Sequence, residues 1–332
     1  MESNKLLQTA VPLLLEWYRI YKRDLPWRQN KDPYRIWISE IMLQQTRVEA
    51  VKEYYRRFLE QFPTVFALAN ADEEEVLKAW EGLGYYSRAR NLHKSAKQIA
   101  NKGAFPRTWE EVRALPGIGD YTAGAICSIA YDMPYPAVDG NVMRVLTRLL
   151  ADGRNVDEPS TRKALTQALK EVYPSDAGDF CQALMELGAI VCVPNGAPLC
   201  ENCPWGEICL ARKGENAEAF PVKKEKKERK KIDLSVFVMR CGQKYAIEKR
   251  AEKGLLSGLW QFPIGEGIPS GKILAKKRAK HIFTHVEWNM TGYLVEVERE
   301  DGAFRWVTAE ELKEKYALPS AFRAFLPWVI SP

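Results

Sequence analysis

The chain has 332 residues, of which 46% are hydrophobic, and a formal net charge of +6. That is enough for two packed domains and a small third module, and the mild basic excess suits a polyanionic partner without pointing to one. No apolar run approaches the length of a membrane-spanning helix, so a membrane role is not expected.

In chain order, the opening MESNKLLQTAVPLLLEWYRIYKRDLPW lacks a basic start and a small-residue cleavage site, and reads as an amphipathic helix rather than a signal peptide. A cytoplasmic chain is expected, with its seven cysteines reduced or bound to metal. From Asn4 to about Ala211 apolar residues recur at three- and four-residue spacing, as in Val142, Val145, Leu146 and Leu149, which predicts helices. In IWISEIML the only polar residues are Ser39 and Glu40. Alone, Glu40 reads as a surface glutamate of an amphipathic helix; buried, its carboxyl would hold a proton near neutral pH.

LPGIGDYTAG, Leu115 to Gly124, places a proline and three glycines before an apolar run. No Gly-Lys-Ser/Thr follows, so it is not a nucleotide-binding P-loop. It suits either an ordinary helix–helix turn or a helix–hairpin–helix, whose backbone amides meet one DNA phosphate. Asp139 stands before the next apolar stripe and by itself is a helix cap or turn residue. Cys192, Cys200, Cys203 and Cys209 follow with C-x7-C-x2-C-x5-C spacing, which argues for a metal centre and leaves zinc and iron–sulfur open. Cys127, Cys181 and Cys241 are isolated and read as small core residues.

The run KKEKKERKK, 223–231, reads as a solvated linker. After it Ile232, Leu234, Val236 and Val238 alternate as in a strand, Cys241-Gly242-Gln243 is a turn, and further strands are expected at 291–297 and 304–307. Thr308 and Glu311 form a capping box for a last helix. KKRAKH, Lys276 to His281, reads as a solvated basic face that also lies well for DNA phosphates.

LPGIGDYTAG, then VDGNVMRV, then the cysteine cluster resemble the endonuclease III superfamily of DNA glycosylases. SEIMLQQTRVEAV and GLGYYSRARNL are similar to its MutY branch, the adenine DNA glycosylases, over about Leu25 to Cys209. The resemblance implies that Glu40 protonates the departing adenine and that Asp139, steadied by Asn141, stabilises the sugar cation. The superfamily's strand-cutting branch carries a lysine where Tyr121 stands, and a phenol forms no Schiff base, so a monofunctional enzyme is implied. The resemblance further implies Gln45 and Tyr85 as residues inserted beside the lesion, Leu115, Gly117 and Gly119 as the DNA-binding hairpin, and Arg28 and Glu186 as the adenine pocket. The four cysteines would hold a 4Fe-4S cluster; their first gap is one residue longer than is usual in the family.

GLLSGLWQFP, Gly254 to Pro263, resembles the entry to a Nudix-like domain, but Glu266 is the only acid between Gly254 and Lys280. Pyrophosphohydrolase activity is therefore not expected, and the short interval leaves little room for the family's helix. Phe283-Thr284-His285 resembles the family's Phe-Ser-His loop, which reads 8-oxoguanine on the opposite strand, with threonine in place of serine.

The expected fold is mainly α: a helix–hairpin–helix glycosylase region over 1–215 with a cluster loop at 192–209, a linker over 216–231, and an α/β Nudix-like domain over 232–332. The expected activity is removal of adenine opposite 8-oxoguanine or guanine by base flipping, by a monomer acting on duplex DNA in the cytoplasm or on the nucleoid. A thymine or uracil mismatch glycosylase and a non-catalytic lesion-binding module are the alternatives.

Overall fold

The computed structural model describes residues 2–225 and 228–330. Lys226 and Lys227 of the charged run lie outside the described residues. Contacts divide the chain into two compact units, Met1–Ala69 with Lys94–Glu225, and Asn70–His93 with Lys226–Pro332. No helix among the described residues is long and apolar enough to cross a membrane.

The helices of the first 225 residues are α1 (Glu2–Tyr21), α2 (Pro33–Leu43), α3 (Val48–Gln61), α4 (Val65–Asn70), α5 (Glu73–Ala79), α6 (Ser87–Lys102), α7 (Trp109–Arg113), α8 (Asp120–Tyr131), α9 (Gly140–Leu150), α10 (Pro159–Lys170), α11 (Ala177–Ile190) and α12 (Leu210–Lys213). Their ends follow local chemistry. Asp32 caps α2 by accepting the Tyr34 N–H, and Pro33 fills its first turn. Asp139 caps α9, whose stripe of Val142, Val145, Leu146 and Leu149 packs with Leu14 and Tyr18 of α1 and Leu184 and Leu187 of α11 in one core. Helix α8 packs against both α2 and α11. Gly124 makes that interior possible, since a Cβ there would meet the Pro136 carbonyl oxygen at 2.5 Å.

The second unit is built on strands β1 (Lys230–Cys241), β2 (Lys244–Lys249), β3 (Trp260–Gln261), β4 (Lys272–Ile282), β5 (Val286–Glu296) and β6 (Arg305–Thr308). The sheet order is β3-β2-β1-β5-β4, with β6 also pairing β2. Strands β1 and β5 run parallel, with Lys230 opposite Val286; β4 and β5 form an antiparallel hairpin. One face packs Val236, Val238, Trp288 and Met290 against Phe322, Phe325 and Val329. Thr308 and Glu311 make the expected capping box at the start of α13 (Ala309–Lys315).

Two features differ from the expectation. The linker is tied down in its first half, where Val156 N–H bonds Val222 O at 3.0 Å and Lys224 N–H bonds Asp157 Oδ2 at 2.9 Å, and β1 already begins at Lys230. Residues 70–93 cluster with the sheet rather than with the helices around them. The bonds responsible run from Arg90 Nη1 to Ser257 O at 2.7 Å, from Leu318 N–H to Glu81 Oε1 at 2.8 Å, and from Lys78 Nζ to Tyr316 O at 3.0 Å.

Candidate active site

A cleft of about 650 Å³ opens in the helical unit, with Glu40, Tyr121, Asp139, Asn141, Arg28 and Glu186 all on its lining. Residues expected from five separate stretches of sequence are thus brought to one place. Glu40 sits on α2 and is buried, 5% exposed. Its carboxylate oxygen Oε2 accepts the Tyr121 hydroxyl at 2.8 Å, from the first turn of α8. Burial pushes the Glu40 carboxyl up to about 7; the Tyr121 hydrogen bond pulls against this, Asp139 adds to it, and Arg28 opposes it. Burial likewise lifts the Tyr121 phenol well above its ordinary value, so it stays a donor.

Asp139 is held from three sides. Oδ1 accepts the backbone N–H groups of Asn141 and Val142, both at 2.8 Å, and Oδ2 accepts Asn141 Nδ2 at 2.8 Å. A carboxylate at a helix N-terminus with three N–H donors is fixed in orientation. The cleft therefore holds two carboxyl groups in unlike settings, one desolvated beside a phenol and one wrapped in N–H groups.

Glu186, on α11, is 1% exposed. Arg28 Nη2 reaches its Oε2 at 2.8 Å, and Arg23 grips it through Nε and Nη2, each at 2.8 Å, and through its own N–H at 3.0 Å. Burial works to raise the Glu186 carboxyl, but the two arginines outweigh it and hold it down at about 2. Arg28 also stands over the Tyr18 ring, 5.5 Å from its centroid. Arg23 was not legible in the sequence, where it is one cation in a basic stretch; only the fold turns it toward Glu186.

Gln45 is exposed at the cleft margin and takes a left-handed backbone, φ 58°. Residues other than glycine adopt this conformation rarely, and it clusters at functional sites. In the hairpin, Leu115 is buried and anchors the turn, Gly117 has φ 76°, and Gly119 caps α8. Ile118 N–H closes the turn on Leu115 O at 3.2 Å. Gly117 and Gly119 are exposed, and the first-turn amides of α8 face outward as a helix start requires.

The four cysteines of the 192–209 loop are free thiols that line one small apolar cavity with Arg148 and Arg212. Among the described residues no set of three His, Cys, Asp or Glu side chains converges closely enough to hold a single metal ion. Arg148 Nη1 donates to Cys192 Sγ at 3.3 Å. Four thiols on one cavity are a donor set that suits a thiolate-bound metal centre. Trp205 ties the loop to α1 through Ala10 O at 2.8 Å. Arg144, unnoticed in the sequence, bonds both Asn141 Oδ1 at 3.0 Å and Cys192 O at 2.8 Å, and so joins the cysteine loop to the residue that holds Asp139.

In the second unit, Phe283, Thr284 and His285 form the turn between β4 and β5. Phe283 turns inward against Trp288, ring centroids 4.9 Å apart, while Thr284 and His285 are exposed. Tyr85, also left-handed at φ 47°, belongs to this unit, and its hydroxyl lies 2.6 Å from Thr284 Oγ1.

The helical unit thus carries a glycine hairpin and a cleft with two unlike carboxyls, and its class is that of base excision DNA repair proteins. Residues 38–174 match the HhH-GPD superfamily of base excision DNA repair proteins, and residues 235–328 match the NUDIX domain. The structure is similar to that of a thermostable thymine-DNA glycosylase, with a TM-score of 0.58 and 29% identity over 64% of this chain and 100% of that one. An adenine DNA glycosylase of Rattus norvegicus is 33% identical over 94% of this chain and 77% of its own length. One of Arabidopsis thaliana is 39% identical over 75% of this chain, which spans 46% of that relative. The chain belongs to the adenine DNA glycosylase family.

Proposed function

We propose that the chain is a monofunctional DNA glycosylase that releases adenine paired with 8-oxoguanine or guanine in duplex DNA. The observation that carries the reading is Glu40: a buried carboxyl pushed up to about 7, hydrogen-bonded by Tyr121 beside Asp139. A base must leave the stack before it can be cut, so adenine enters the cleft by flipping. Glu40 gives its proton to the departing base, and the Asp139 carboxylate stabilises the positive charge that develops on the sugar. Asn141 holds Asp139 in place. Water completes hydrolysis and the proton returns to Glu40, leaving an abasic site in an intact strand. Tyr121 forms no Schiff base, so strand cleavage is not part of the reaction.

Arg28 and Glu186 face the flipped base as hydrogen-bonding groups, Gln45 and Tyr85 enter the stack beside the lesion, and Thr284 reads the 8-oxoguanine. The hairpin at Leu115, Gly117 and Gly119 takes a phosphate on its backbone amides. Cys192, Cys200, Cys203 and Cys209 would hold a 4Fe-4S cluster, which when bound orders the 192–209 loop. A monomer in the cytoplasm, or on the nucleoid of a bacterium, with a helical catalytic region over 1–215 and a lesion-reading domain over 232–332, completes the reading.

The test is single-turnover base release from duplexes carrying A opposite 8-oxoguanine, A opposite G and T opposite G, each with and without alkali. Adenine release with strand breaks only after alkali is the expected result. Thymine release alone would assign the chain to the activity named for its structural neighbour, and breaks without alkali would overturn the role given to Tyr121.

A further inference from the structure

The sheet of the second unit has unlike faces. One is packed on Phe322, Phe325 and Val329. On the other, Phe237, Met239 and Val295 are sealed by Tyr293, Phe304 and Trp306, but the rows nearer the 283–285 turn stay open. The connection from β3 to β4 carries no helix among the described residues, so no helix from it lies over this half of the face. What remains is a cleft of about 850 Å³ lined by Asp233 and Ser235 of β1, Asn289 and Thr291 of β5, and Arg278 and Lys280 of β4.

Strand β4 stands at the edge of the sheet and carries Lys272, Lys276, Lys277, Arg278 and Lys280 with no acidic residue. Lys276, Arg278 and Lys280 lie opposite Tyr293, Thr291 and Asn289 of β5, so the three share the open face. Their side chains are spaced about 7 Å apart, two residues of strand rise, a step comparable with that between phosphates of a stretched nucleic-acid strand. Lys276 stands 5.2 Å over the Tyr293 ring, Lys280 pairs with Glu287 at 2.7 Å, and Arg278 has no ion pair or hydrogen bond among the described residues. Lysines on an edge strand also discourage edge-to-edge pairing. That accounts for the charge, but not for three cations in file over a cleft whose next rows offer the Ser235 and Thr291 hydroxyls and the Asn289 amide. Glu287 of β5 is taken up by Lys280, and the acids of the cleft lie away from β4: Asp233 is on β1, engaged by Asn289 Nδ2 at 3.0 Å, and Glu266 is on the loop. They confine a polyanion to the β4 side.

We propose that Lys276, Arg278 and Lys280 form a phosphate-tracking row for the DNA strand whose base is read at the 283–285 turn. The proposal rests on the lesion-reading role given to that turn. Thr284 lies four positions beyond Lys280, at most about 13 Å along an extended chain, so the tracked phosphates lie a few nucleotides from the base being read.

The experiment compares the full chain with K276Q/R278Q/K280Q in binding to a duplex carrying A opposite 8-oxoguanine over a series of salt concentrations. Each phosphate contact contributes about 0.9 to the slope of log affinity against log salt. The triple variant is expected to lose about 2–3 from that slope and to bind on the order of tenfold or more weakly at moderate salt. The single variant R278Q should lose about 0.9, and K276R/R278K/K280R should keep the parent slope, which separates charge from misfolding. A neutral methylphosphonate link placed a few nucleotides from the lesion on the same strand should weaken the parent and leave the triple variant unchanged. Equal slopes for the parent, R278Q and the triple variant would overturn the proposal. Adenine release measured on the same samples separates the two readings: a slope lost without any release by the parent would leave the row standing and remove the glycosylase, whereas release with equal slopes would remove the row alone.

Discussion

The helical unit and the sheet unit carry their functional groups in opposite ways. In the first, Glu40 and Glu186 are sunk in a cleft at 5% and 1% exposure, and burial and charged neighbours move their carboxyls in opposite directions, to about 7 and to about 2. In the second, Thr284 and His285 stand exposed on a turn held by Phe283 against Trp288. Chemistry on a glycosidic bond needs a proton kept where water would remove it, so desolvation is built in. Recognition of an edge in an opened duplex needs donors that reach outward from a fixed frame. Each unit also holds one candidate residue in left-handed backbone, Gln45 in the first and Tyr85 in the second, a conformation costly for residues other than glycine.

The contrast breaks first at the carboxyls. Asp139→Asn and Glu40→Gln should each reduce single-turnover adenine release by about 10³-fold while leaving affinity for lesion duplex within a few-fold; unchanged turnover in either would remove the assigned role. Glu40→Gln should also raise stability above neutral pH. The native carboxyl titrates near 7 and the unfolded one near 4.5, so the folded state holds the extra proton between them. The stability this group contributes is greatest below 4.5 and is lost as pH rises through 7. A melting temperature for the glutamine variant a few degrees above the parent at pH 8, and equal to it at low pH, is the expected pattern.

Glu186→Ala comes next, because it leaves two arginines facing an empty site. Removing one partner of a buried pair destabilises by about 3 kcal/mol, and denaturant unfolding should show it; a change under 0.5 kcal/mol would mean that water replaces the carboxylate. Thr284→Ala is milder and belongs to the other unit. It should lower the preference for 8-oxoguanine over guanine by about tenfold, the worth of one hydrogen bond, with release from A opposite G unchanged. An unchanged ratio would deny Thr284 its reading role.

Much of this was legible along the chain. The helical stripes, the Cys241-Gly242-Gln243 turn and the Thr308–Glu311 capping box depend on neighbours in sequence, and periodicity exposes such features. So does the capping geometry of Asp139. What stayed hidden depends on contacts between distant segments. Arg23 meets Glu186 across 163 residues, Arg144 meets Cys192 across 48, and residues 70–93 join a sheet that begins at Lys230. Strand β4 was hidden for another reason: an edge strand with cations on both faces has no alternation to read, and KKRAKH looks like any solvated face until its pairing with β5 is known.

The finest test lies inside the cleft and asks what Tyr121 does beyond lacking an amine. Its hydroxyl, more than the Arg28 charge, pulls the Glu40 carboxyl down against burial. Tyr121→Phe removes that bond and little volume. The Glu40 carboxyl should then titrate higher, by about one pH unit for a hydrogen bond to a charged group. If Glu40 must be protonated to act, the parent's rate is flat below 7 and falls about tenfold per unit above it. The phenylalanine variant should show the same shape with its alkaline limb displaced upward by that unit. At pH 9 it would therefore be the faster enzyme, although at pH 6 the two would be close. A limb that does not move would mean that the phenol positions α8 against α2 without tuning the acid. A parent rate that rises through 7 instead of falling, with that rise displaced upward in the variant, would mean that the charged carboxylate, not the acid, is the working form of Glu40.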